Sequence, residues 1–198
     1  MQYRTLGKTN ISASAVALGT WAIGGGPWWG DSDDNQSVKA IQAAIDAGVT
    51  LIDTAPAYGF GHSEEIVGKA IKGRRDKLIL STKCGLWWKD DRGTSAFKLG
   101  DIHVKRCLLP ATIREEVEIS LSRMDTDYID LYHTHWPSLE PEKYPIDDTM
   151  QCLMKLKEEC KIRDIAASNV DLDHIKEYQA AGVQDAIQPR YIMLDRQN

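Results

Sequence analysis

Four residues that could move a proton to or from a carbonyl oxygen lie at or near the ends of apolar runs. Asp53, Lys83 and His135 each follow such a run, and Tyr58 comes shortly after Asp53. A Lys–Asp ion pair alone is commonly structural, but a cation beside a phenol favours the phenolate and lowers the tyrosine pKa from about 10 toward neutral pH. A histidine close by can orient a carbonyl oxygen by hydrogen bonding. Together the four residues fit protonation of a carbonyl during its reduction, with the hydride supplied by a cofactor.

The apolar runs that carry these residues end, one after another, in polar side chains. Five consecutive runs finish in this way, at Asp53, Thr82-Lys83, His133-Thr134-His135, Ser168-Asn169 and Gln188. In folds built on parallel strands the carboxyl ends of the strands form one rim, where ligands bind. One polar ending would mean little, because loops are polar in any protein. Five in succession predict a functional rim.

The elements that must position this rim alternate between strand and helix. We predict a hairpin from 3–6 and 11–13, and then six strands at 15–18, 49–53, 77–82, 128–134, 162–167 and 186–188. Helical periodicity predicts helices at 34–47, from Ser63, from Pro110, at 148–159 and at 172–180. Strict alternation implies a parallel sheet, either a (β/α)₈ TIM barrel or an open doubly wound sheet. The count is six strands where a complete barrel has eight.

Composition excludes several classes of protein. The 198 residues carry 24 basic and 29 acidic side chains, a net charge of −5, without a concentrated cationic patch that could hold nucleic acid. No apolar run approaches the roughly 20 residues that span a bilayer, and the first residues do not open a signal peptide. The four cysteines have no paired spacing, so we expect free thiols in a reducing, cytoplasmic setting.

Histidine and tryptophan raise two further questions about the rim. His133 and His135 point to the same side of a strand, but a metal needs three or four ligands and the other histidines lie elsewhere, so we expect no metal. His133 is better explained as an interior residue with hydrogen-bond partners. Four of the six tryptophans form the pairs Trp28-Trp29 and Trp87-Trp88, both in rim loops, which suggests an apolar wall around a substrate pocket.

Several motifs, in matching order and spacing, resemble the aldo-keto reductases. They are Gly19-Thr20-Trp21, the run from Asp53 to Tyr58 (DTAPAY), Gly61-His62-Ser63-Glu64, Ser81-Thr82-Lys83, the run 130–137 (DLYHTHWP), and Lys161-Ile162-Arg163 leading into Ala167-Ser168-Asn169. The nearest likeness is to the bacterial branch with a long third loop. Cys160 departs from the pattern, since it stands where the family has a glycine at a helix end.

The resemblance implies a (β/α)₈ barrel and a role for each matching residue. Tyr58 would be the general acid, Lys83 would lower its pKa, Asp53 would hold Lys83, and His135 would orient the substrate carbonyl. Cofactor contacts would come from Gly19, Thr20, Trp21, Asp53, Ser168, Asn169 and Gln188. Substrate-pocket contacts would come from Trp28, Trp29, Trp87 and Trp136.

The resemblance also implies NADPH as the cofactor, with NADH not excluded, and a small aldehyde or ketone as the substrate. We predict one domain over 1–198, with the hairpin in 1–14 and strands one to six in 15–198. A complete barrel is typically about 250 residues long. We therefore predict a C-terminally truncated barrel that lacks the site for the 2′-phosphate. The alternatives are an NADPH-binding regulatory barrel, like the channel-associated β-subunits of the family, and an inactive fragment.

Overall fold

The computed structural model describes residues 1–140 and 143–190. Its strands are, in chain order, β1 (Tyr3–Thr5), β2 (Ser12–Ser14), β3 (Leu18–Gly19), β4 (Leu51–Asp53), β5 (Ile79–Cys84), β6 (Leu86–Trp87), β7 (Thr94–Leu99), β8 (Ile102–Arg106), β9 (Ile129–Thr134), β10 (Ile162–Ser168) and β11 (Ala186–Gln188). Its α-helices are α1 (Asp34–Asp46), α2 (His62–Ile71), α3 (Pro110–Met124), α4 (Ile146–Glu158) and α5 (Leu172–Ala181).

Six strands form one parallel sheet in the order β3-β4-β5-β9-β10-β11. Strands and helices alternate along the chain from β3 to β11, interrupted only by the small antiparallel sheet formed by β6, β7 and β8. The prediction of a parallel α/β fold is therefore confirmed. The described residues form a six-stranded, half-barrel portion of the predicted (β/α)₈ barrel, and they do not show eight units. The predicted domain limits extend to residue 198, and 191–198 lie outside the described residues.

The predicted N-terminal hairpin is present and packs against the segment that leads into β11. β1 and β2 pair antiparallel, with Tyr3 opposite Ser14. In the turn, Gly7 has a φ of 51°, and a Cβ at this position would lie 2.2 Å from the carbonyl oxygen of Asp185. The amide of Lys8 donates to that same oxygen at 3.0 Å. A glycine is required here because the two backbones approach too closely for a side chain.

Local signals in the sequence explain where the helices begin. The carboxylate of Asp33 accepts a hydrogen bond from the amide of Gln36 and caps α1, and Asp171 caps α5 in the same way. Pro110 occupies the first turn of α3, where its missing N–H costs no helical hydrogen bond. The apolar faces of the helices and the outward side chains of the strands then form one core, which includes Ile52, Leu80, Val117 and Ile165.

The first barrel strand differs from its prediction at 15–18. β3 contains only Leu18 and Gly19, because the residues before it do not pair with β4. The hydroxyl of Ser14 accepts a hydrogen bond from the amide of Thr50, and Val16 is 59% exposed. Val16 lies in the middle of the predicted strand, and its exposure shows that this apolar run does not form a buried strand.

The segment after β5, predicted as a long loop, contains a second sheet. β6, β8 and β7 form an antiparallel sheet with a register shift between Ser95 and Phe97. Its strands alternate partly exposed apolar and polar residues, so their hydrophobic signal is weak. No described helix is long and apolar enough to cross a membrane.

Cys160 does adopt the left-handed backbone conformation that the family pattern implies at this helix end. Its φ is 59°, and its amide donates to the carbonyl of Lys157 at 3.0 Å. A cysteine here costs roughly 1 kcal/mol relative to glycine.

Candidate active site

The ammonium group of Lys83 is the centre of the site. Lys83 is 2% exposed on β5, and its Nζ lies 2.9 and 3.0 Å from the two carboxylate oxygens of Asp53 at the end of β4. The same atom donates to the carbonyl oxygen of Thr54 at 2.7 Å and contacts the hydroxyl of Tyr58 at 3.3 Å. The register that places Asp53 opposite Ser81 puts Lys83 one inward position further along the strand. The predicted trio of Asp53, Tyr58 and Lys83 is therefore assembled.

The pKa of the carboxylate and that of the phenol respond differently to this arrangement. Burial alone would raise the pKa of Asp53, but Lys83, His133 and Ser81 together outweigh it and the pKa is lowered. For Tyr58 burial is the largest influence and raises the pKa above 10, although Lys83 acts in the lowering direction. The expectation of a lowered tyrosine pKa is therefore not met. The physical reason is that desolvation of the phenol is large, and that Asp53 both offsets the lysine charge and itself raises the tyrosine pKa.

A strained loop holds Tyr58 in place. Gly59, Phe60 and Gly61, which follow it, all have positive φ, and Phe60 at 53° does so with a full side chain. A Cβ on Gly59 would lie 2.2 Å from the carbonyl oxygen of Gly24 in the first rim loop. The two loops thus meet backbone to backbone, directly after the tyrosine. Strained backbone of this kind persists only where the surroundings impose it.

His135 presents an uncharged imidazole to the same space. Burial, then the positive charge of Lys83, and then smaller contributions from His133 and Arg106 hold the pKa of His135 well below 6.5. Its ring lies 6.0 Å from that of Tyr58, centroid to centroid, at 84°. Within residues 1–140 and 143–190 its ring nitrogens make no hydrogen bond, while Asn169 Nδ2 donates to its carbonyl oxygen at 2.9 Å. The imidazole is therefore positioned and available to a ligand.

Below the tyrosine, five side chains from five adjacent strands close a ring of hydrogen bonds. Ser81 Oγ donates to Asp53 Oδ1 at 2.8 Å and contacts His133 Nε2 at 3.0 Å. On the other side, Ser168 Oγ lies 3.3 Å from His133 Nδ1 and donates to Gln188 Oε1 at 2.9 Å. Gln188 Nε2 donates to Asp53 Oδ1 at 3.2 Å, which completes the ring. His133 is thus the hydrogen-bonded interior residue that the sequence favours over a metal ligand.

The ring contains one hydrogen too few. Burial and Lys83 lower the pKa of His133 to about 3, although Asp53 opposes this, so the imidazole carries a single N–H at neutral pH. When Ser81 donates to Asp53, that N–H must face Ser81, and Nδ1 then needs a donor. Ser168 has one hydroxyl hydrogen for two acceptors, His133 Nδ1 and Gln188 Oε1. In this tautomer one of the two acceptors is left without a hydrogen; in the other tautomer, with Nδ1–H facing Ser168, the contact that lacks a hydrogen is the one between Ser81 and Asp53.

Aromatic side chains from the rim loops cover the tyrosine. Trp21 stacks on Tyr58 with 6.0 Å between ring centroids, and both Trp28 and Trp29 meet Trp21 edge to face. Phe97 on β7 in turn contacts Trp28, with centroids 5.7 Å apart. Sequence reasoning missed Phe97, because the strand that carries it was taken as loop. Trp21, Trp28 and Trp29 are 45 to 51% exposed, so this wall borders open space.

Four further residues were predicted to contact the cofactor or the substrate, and two of them, Thr20 and Trp87, are buried while Gly19 and Trp136 are not. Gly19 is exposed, and a Cβ there would meet nothing within 4 Å, so the rim is open beside it. Trp136 packs near Ala57, just before the tyrosine. Thr20 and Trp87, by contrast, are buried. The Thr20 hydroxyl donates to the Asp53 carbonyl oxygen at 3.0 Å.

Trp87 packs beside α3. Its Nε1 donates to Asp90 at 2.7 Å, and its ring borders a small cavity with Glu116, Ile119 and Arg123 of α3. The structure therefore does not join Trp87 to the other predicted pocket residues.

A buried hydroxyl cluster behind the site was also missed. Ser63 donates a hydrogen bond to Thr20, and its hydroxyl lies 3.1 Å from that of Thr54. These contacts join the start of α2 to the ends of β3 and β4. The only sequence signal was the Ser63-Glu64 pair at a helix start, which is equally typical of an ordinary helix cap.

The sequence and fold of the chain are similar to those of known proteins. The model of the aldo/keto reductase family matches residues 15–198. The chain belongs to the aldo/keto reductase family. It is 50% identical over 193 residues to the NADH-specific methylglyoxal reductase of Escherichia coli, an alignment that covers 96% of this chain and 59% of that protein. The resemblance seen in the sequence motifs is confirmed.

Two solved aldo/keto reductase structures share the fold. The glycerol dehydrogenase AKR11B4 from Gluconobacter oxydans superposes with a TM-score of 0.84 at 39% identity, over 98% of this chain and 56% of that one. An aldo-keto reductase from Klebsiella pneumoniae in complex with NADPH gives a TM-score of 0.69 at 31% identity, over 92% of this chain and 55% of that one. The chain thus spans little more than half the length of these relatives.

Proposed function

We propose that this protein reduces the carbonyl group of small aldehydes or ketones to the alcohol, with a reduced nicotinamide dinucleotide as the hydride donor. One observation carries the proposal: Lys83 Nζ is held between the carboxylate of Asp53 and the hydroxyl of Tyr58, 3.3 Å from the phenol oxygen. That arrangement can deliver a proton and then stabilise the phenolate that remains.

Each residue has one role in the proposed reaction. Tyr58 is protonated at neutral pH because its pKa is raised, so it starts as the acid and gives its proton to the carbonyl oxygen. The neutral imidazole of His135 donates a hydrogen bond to the same oxygen and fixes its direction. Lys83 then lies beside the phenolate, and Asp53 keeps Lys83 oriented. A bound nicotinamide would supply the hydride.

The hydrogen-deficient ring is suited to hold a carboxamide. A primary amide can donate an N–H to Gln188 Oε1, which frees the Ser168 hydroxyl to donate to His133 Nδ1. Asn169 follows Ser168 at the rim, and the open space beside Gly19 leaves room for a ring or a ribose. We therefore assign Ser168, Asn169, Gln188 and the Gly19–Trp21 turn to the nicotinamide end of the cofactor. The relatives include an NADH-specific enzyme and an NADPH complex, so the proposal covers both cofactors.

Replacing Tyr58 with phenylalanine tests the proposal. Tyr58→Phe removes one hydroxyl and should lower the rate of aldehyde reduction by about 100-fold or more, the usual contribution of a general acid. Binding of NADH and NADPH, followed by the fluorescence of the reduced nicotinamide, should be unchanged. Tyr3→Phe is the matched control, because the Tyr3 hydroxyl donates to the Gly48 carbonyl oxygen at 3.1 Å, in the hairpin region. Wild-type turnover by Tyr58→Phe would refute the assigned mechanism.

A further inference from the structure

Arg106 is a half-buried cation beside the proposed active site that the mechanism does not use. It ends β8, and its guanidinium lies 4.5 Å from the ring centroid of Trp136. Its Nη1 donates to the carbonyl oxygen of Pro137 at 3.4 Å, a long contact. Among residues 1–140 and 143–190, no carboxylate lies within ion-pair distance of Arg106, whereas Lys105 next to it pairs with Asp91.

The direction of β8 places Arg106 on the side of the proposed substrate. Successive strand residues point to opposite faces, so Arg106 shares a face with Val104 and Ile102. Those two residues pack in one cluster with Ala57 and Trp136, next to Tyr58 and His135 respectively. Lys105, on the other face, bonds to Asp90 and Asp91. Arg106 therefore lies on the face of the sheet that packs with Ala57 and Trp136, while its neighbour Lys105 anchors the other face.

The same guanidinium acts electrostatically on His135. The positive charge of Arg106 is one of the influences that lower the pKa of His135. Burial lowers the pKa of Arg106 itself, with no opposing contribution from an acidic neighbour. A cation that is partly desolvated and has no counter-ion is costly, and an anion brought by a ligand would remove that cost.

We propose that Arg106 is a specificity-determining residue that binds an anionic group, a carboxylate or a phosphate ester, on the substrate at the end away from the carbonyl. The proposal rests on the reductase function above and names its substrate class. Guanidinium suits this role because its planar donors match carboxylate and phosphate oxygens and because it stacks on aromatic rings. The carbonyl group of the substrate would lie at Tyr58 and His135, and its anionic group would lie at Arg106. The aromatic side chains of the rim would line the space between these two ends.

Matched substrate pairs test this assignment. For carboxylates the pair is 4-carboxybenzaldehyde and 4-methylbenzaldehyde, and for phosphates it is glyceraldehyde 3-phosphate and glyceraldehyde. Arg106→Gln should lower kcat/KM for the anionic member of the preferred pair about 10- to 100-fold, mainly through KM, and change the neutral member less than about threefold. Arg106→Lys should restore part of the loss. Whichever pair responds identifies the anion.

Lys98→Gln is the matched control, because Lys98 is an exposed cation on the neighbouring strand β7. It removes the same charge from the same sheet and should leave both ratios unchanged. A salt titration adds a second readout, since the preference for the anionic substrate should weaken as salt screens the pair. Equal losses for anionic and neutral substrates in Arg106→Gln would show that Arg106 only supports Trp136 and Pro137, and would overturn the proposal.

A binding measurement separates this proposal from the reductase function. Calorimetric titration with benzoate and benzamide requires no turnover. Benzoate should bind the wild type at least about tenfold more tightly than Arg106→Gln, and benzamide should bind both alike. If no aldehyde is reduced but this difference appears, the reductase proposal fails and the anion site stands. If aldehydes are reduced but benzoate binds both proteins equally, the anion site is refuted.

Discussion

The site has two regions built in different ways, an interior carried by strands and a rim carried by loops. In the interior, Asp53, Ser81, His133, Ser168 and Gln188 occupy neighbouring strands, and backbone pairing fixes their spacing. Each lies within hydrogen-bonding distance of the next. In the rim, Trp21, Trp28 and Phe97 are held by edge-to-face or stacked ring contacts, and the two tryptophans are about half exposed.

In the proposed reaction, the interior would carry out the proton transfer and the rim would select the substrate. A substitution in the interior leaves a buried polar partner unsatisfied, so it should disturb both stability and turnover. A substitution in the rim removes an aromatic contact worth only about 0.5–1.5 kcal/mol, and the freed surface is already in contact with water. In the proposed reaction the rim could therefore change with the substrate, while Tyr58 and the residues proposed to assist it stay fixed. Three predictions test this division, from the largest effect to the smallest.

The largest effect is expected from Lys83→Met, which breaks the ion pair at the centre of the interior. Asp53 would remain buried without its counter-ion, so the free energy of unfolding should fall by about 3–5 kcal/mol in urea denaturation. Turnover should fall at least about 100-fold, because the phenolate left by Tyr58 would lose its cation. The residual activity should have its pH optimum shifted to higher pH, because the removed cation was the main influence lowering the pKa of Tyr58.

A double variant separates the two losses. Lys83→Met combined with Asp53→Asn removes both charges, and replacing a whole buried ion pair is often nearly neutral for stability. Most of the unfolding free energy should return, while turnover should remain low. Recovery of turnover together with stability would mean that the lysine charge has no part in the chemistry.

The second prediction concerns the ring and its dependence on pH. The pKa of His133 in the folded protein is about 3, below its ordinary value of 6.5, because burial and the neighbouring Lys83 oppose protonation despite Asp53. The unfolded chain therefore binds a proton below pH 6.5 that the folded chain does not. His133 stabilises the fold fully above pH 6.5, and this contribution is lost as pH falls toward 3.

His133→Gln should remove that dependence. Near neutral pH the variant should be less stable than the wild type by about 1–3 kcal/mol, because Ser81 and Ser168 lose their partner. Below pH 6.5 the difference should shrink by up to about 1.4 kcal/mol per pH unit. Ser168→Ala is the control: it breaks the ring without removing a titrating group, so its stability curve should run parallel to that of the wild type. Parallel curves for His133→Gln as well would show that His133 titrates normally in the folded state.

The interior was largely predictable from the sequence, and the reason is its strands. A parallel strand delivers its C-terminal residues to a common rim, so apolar runs ending at Asp53, Lys83, His135 and Gln188 place those residues near each other without further information. The closed ring was beyond prediction, because it depends on which side chains face inward at matching registers across five strands. The direction of the Tyr58 pKa shift was also beyond reach, since desolvation depends on packing that residue types do not reveal.

The rim was less predictable, because loops have no period. Trp28 and Trp29 both contact Trp21 above Tyr58, whereas Trp87, a tryptophan in a similar loop position, packs beside α3 and bonds to Asp90. Phe97 lay in a segment whose strands are short and partly polar. The contact of Gly24 with Gly59, which holds the tyrosine, joins two loops far apart in sequence. The glycines that follow Tyr58 in the sequence were the available signal.

The smallest effect is expected at the edge of the rim, from Phe97→Leu. The variant loses the ring contact with Trp28 but keeps a side chain that can cover the same surface, so the free energy of unfolding should change by less than about 1 kcal/mol. KM for an aromatic aldehyde such as 4-methylbenzaldehyde should rise about 2- to 10-fold, while kcat and the KM for propanal should stay near wild type. Trp28→Leu should have a larger effect, because it also removes the contact with Trp21, and the double variant should add little to Trp28→Leu alone, because the Trp28–Phe97 contact is already lost. A loss of kcat in Phe97→Leu would mean that the wall positions Tyr58 through Trp28 and Trp21, and the rim would then belong to the chemistry together with the interior.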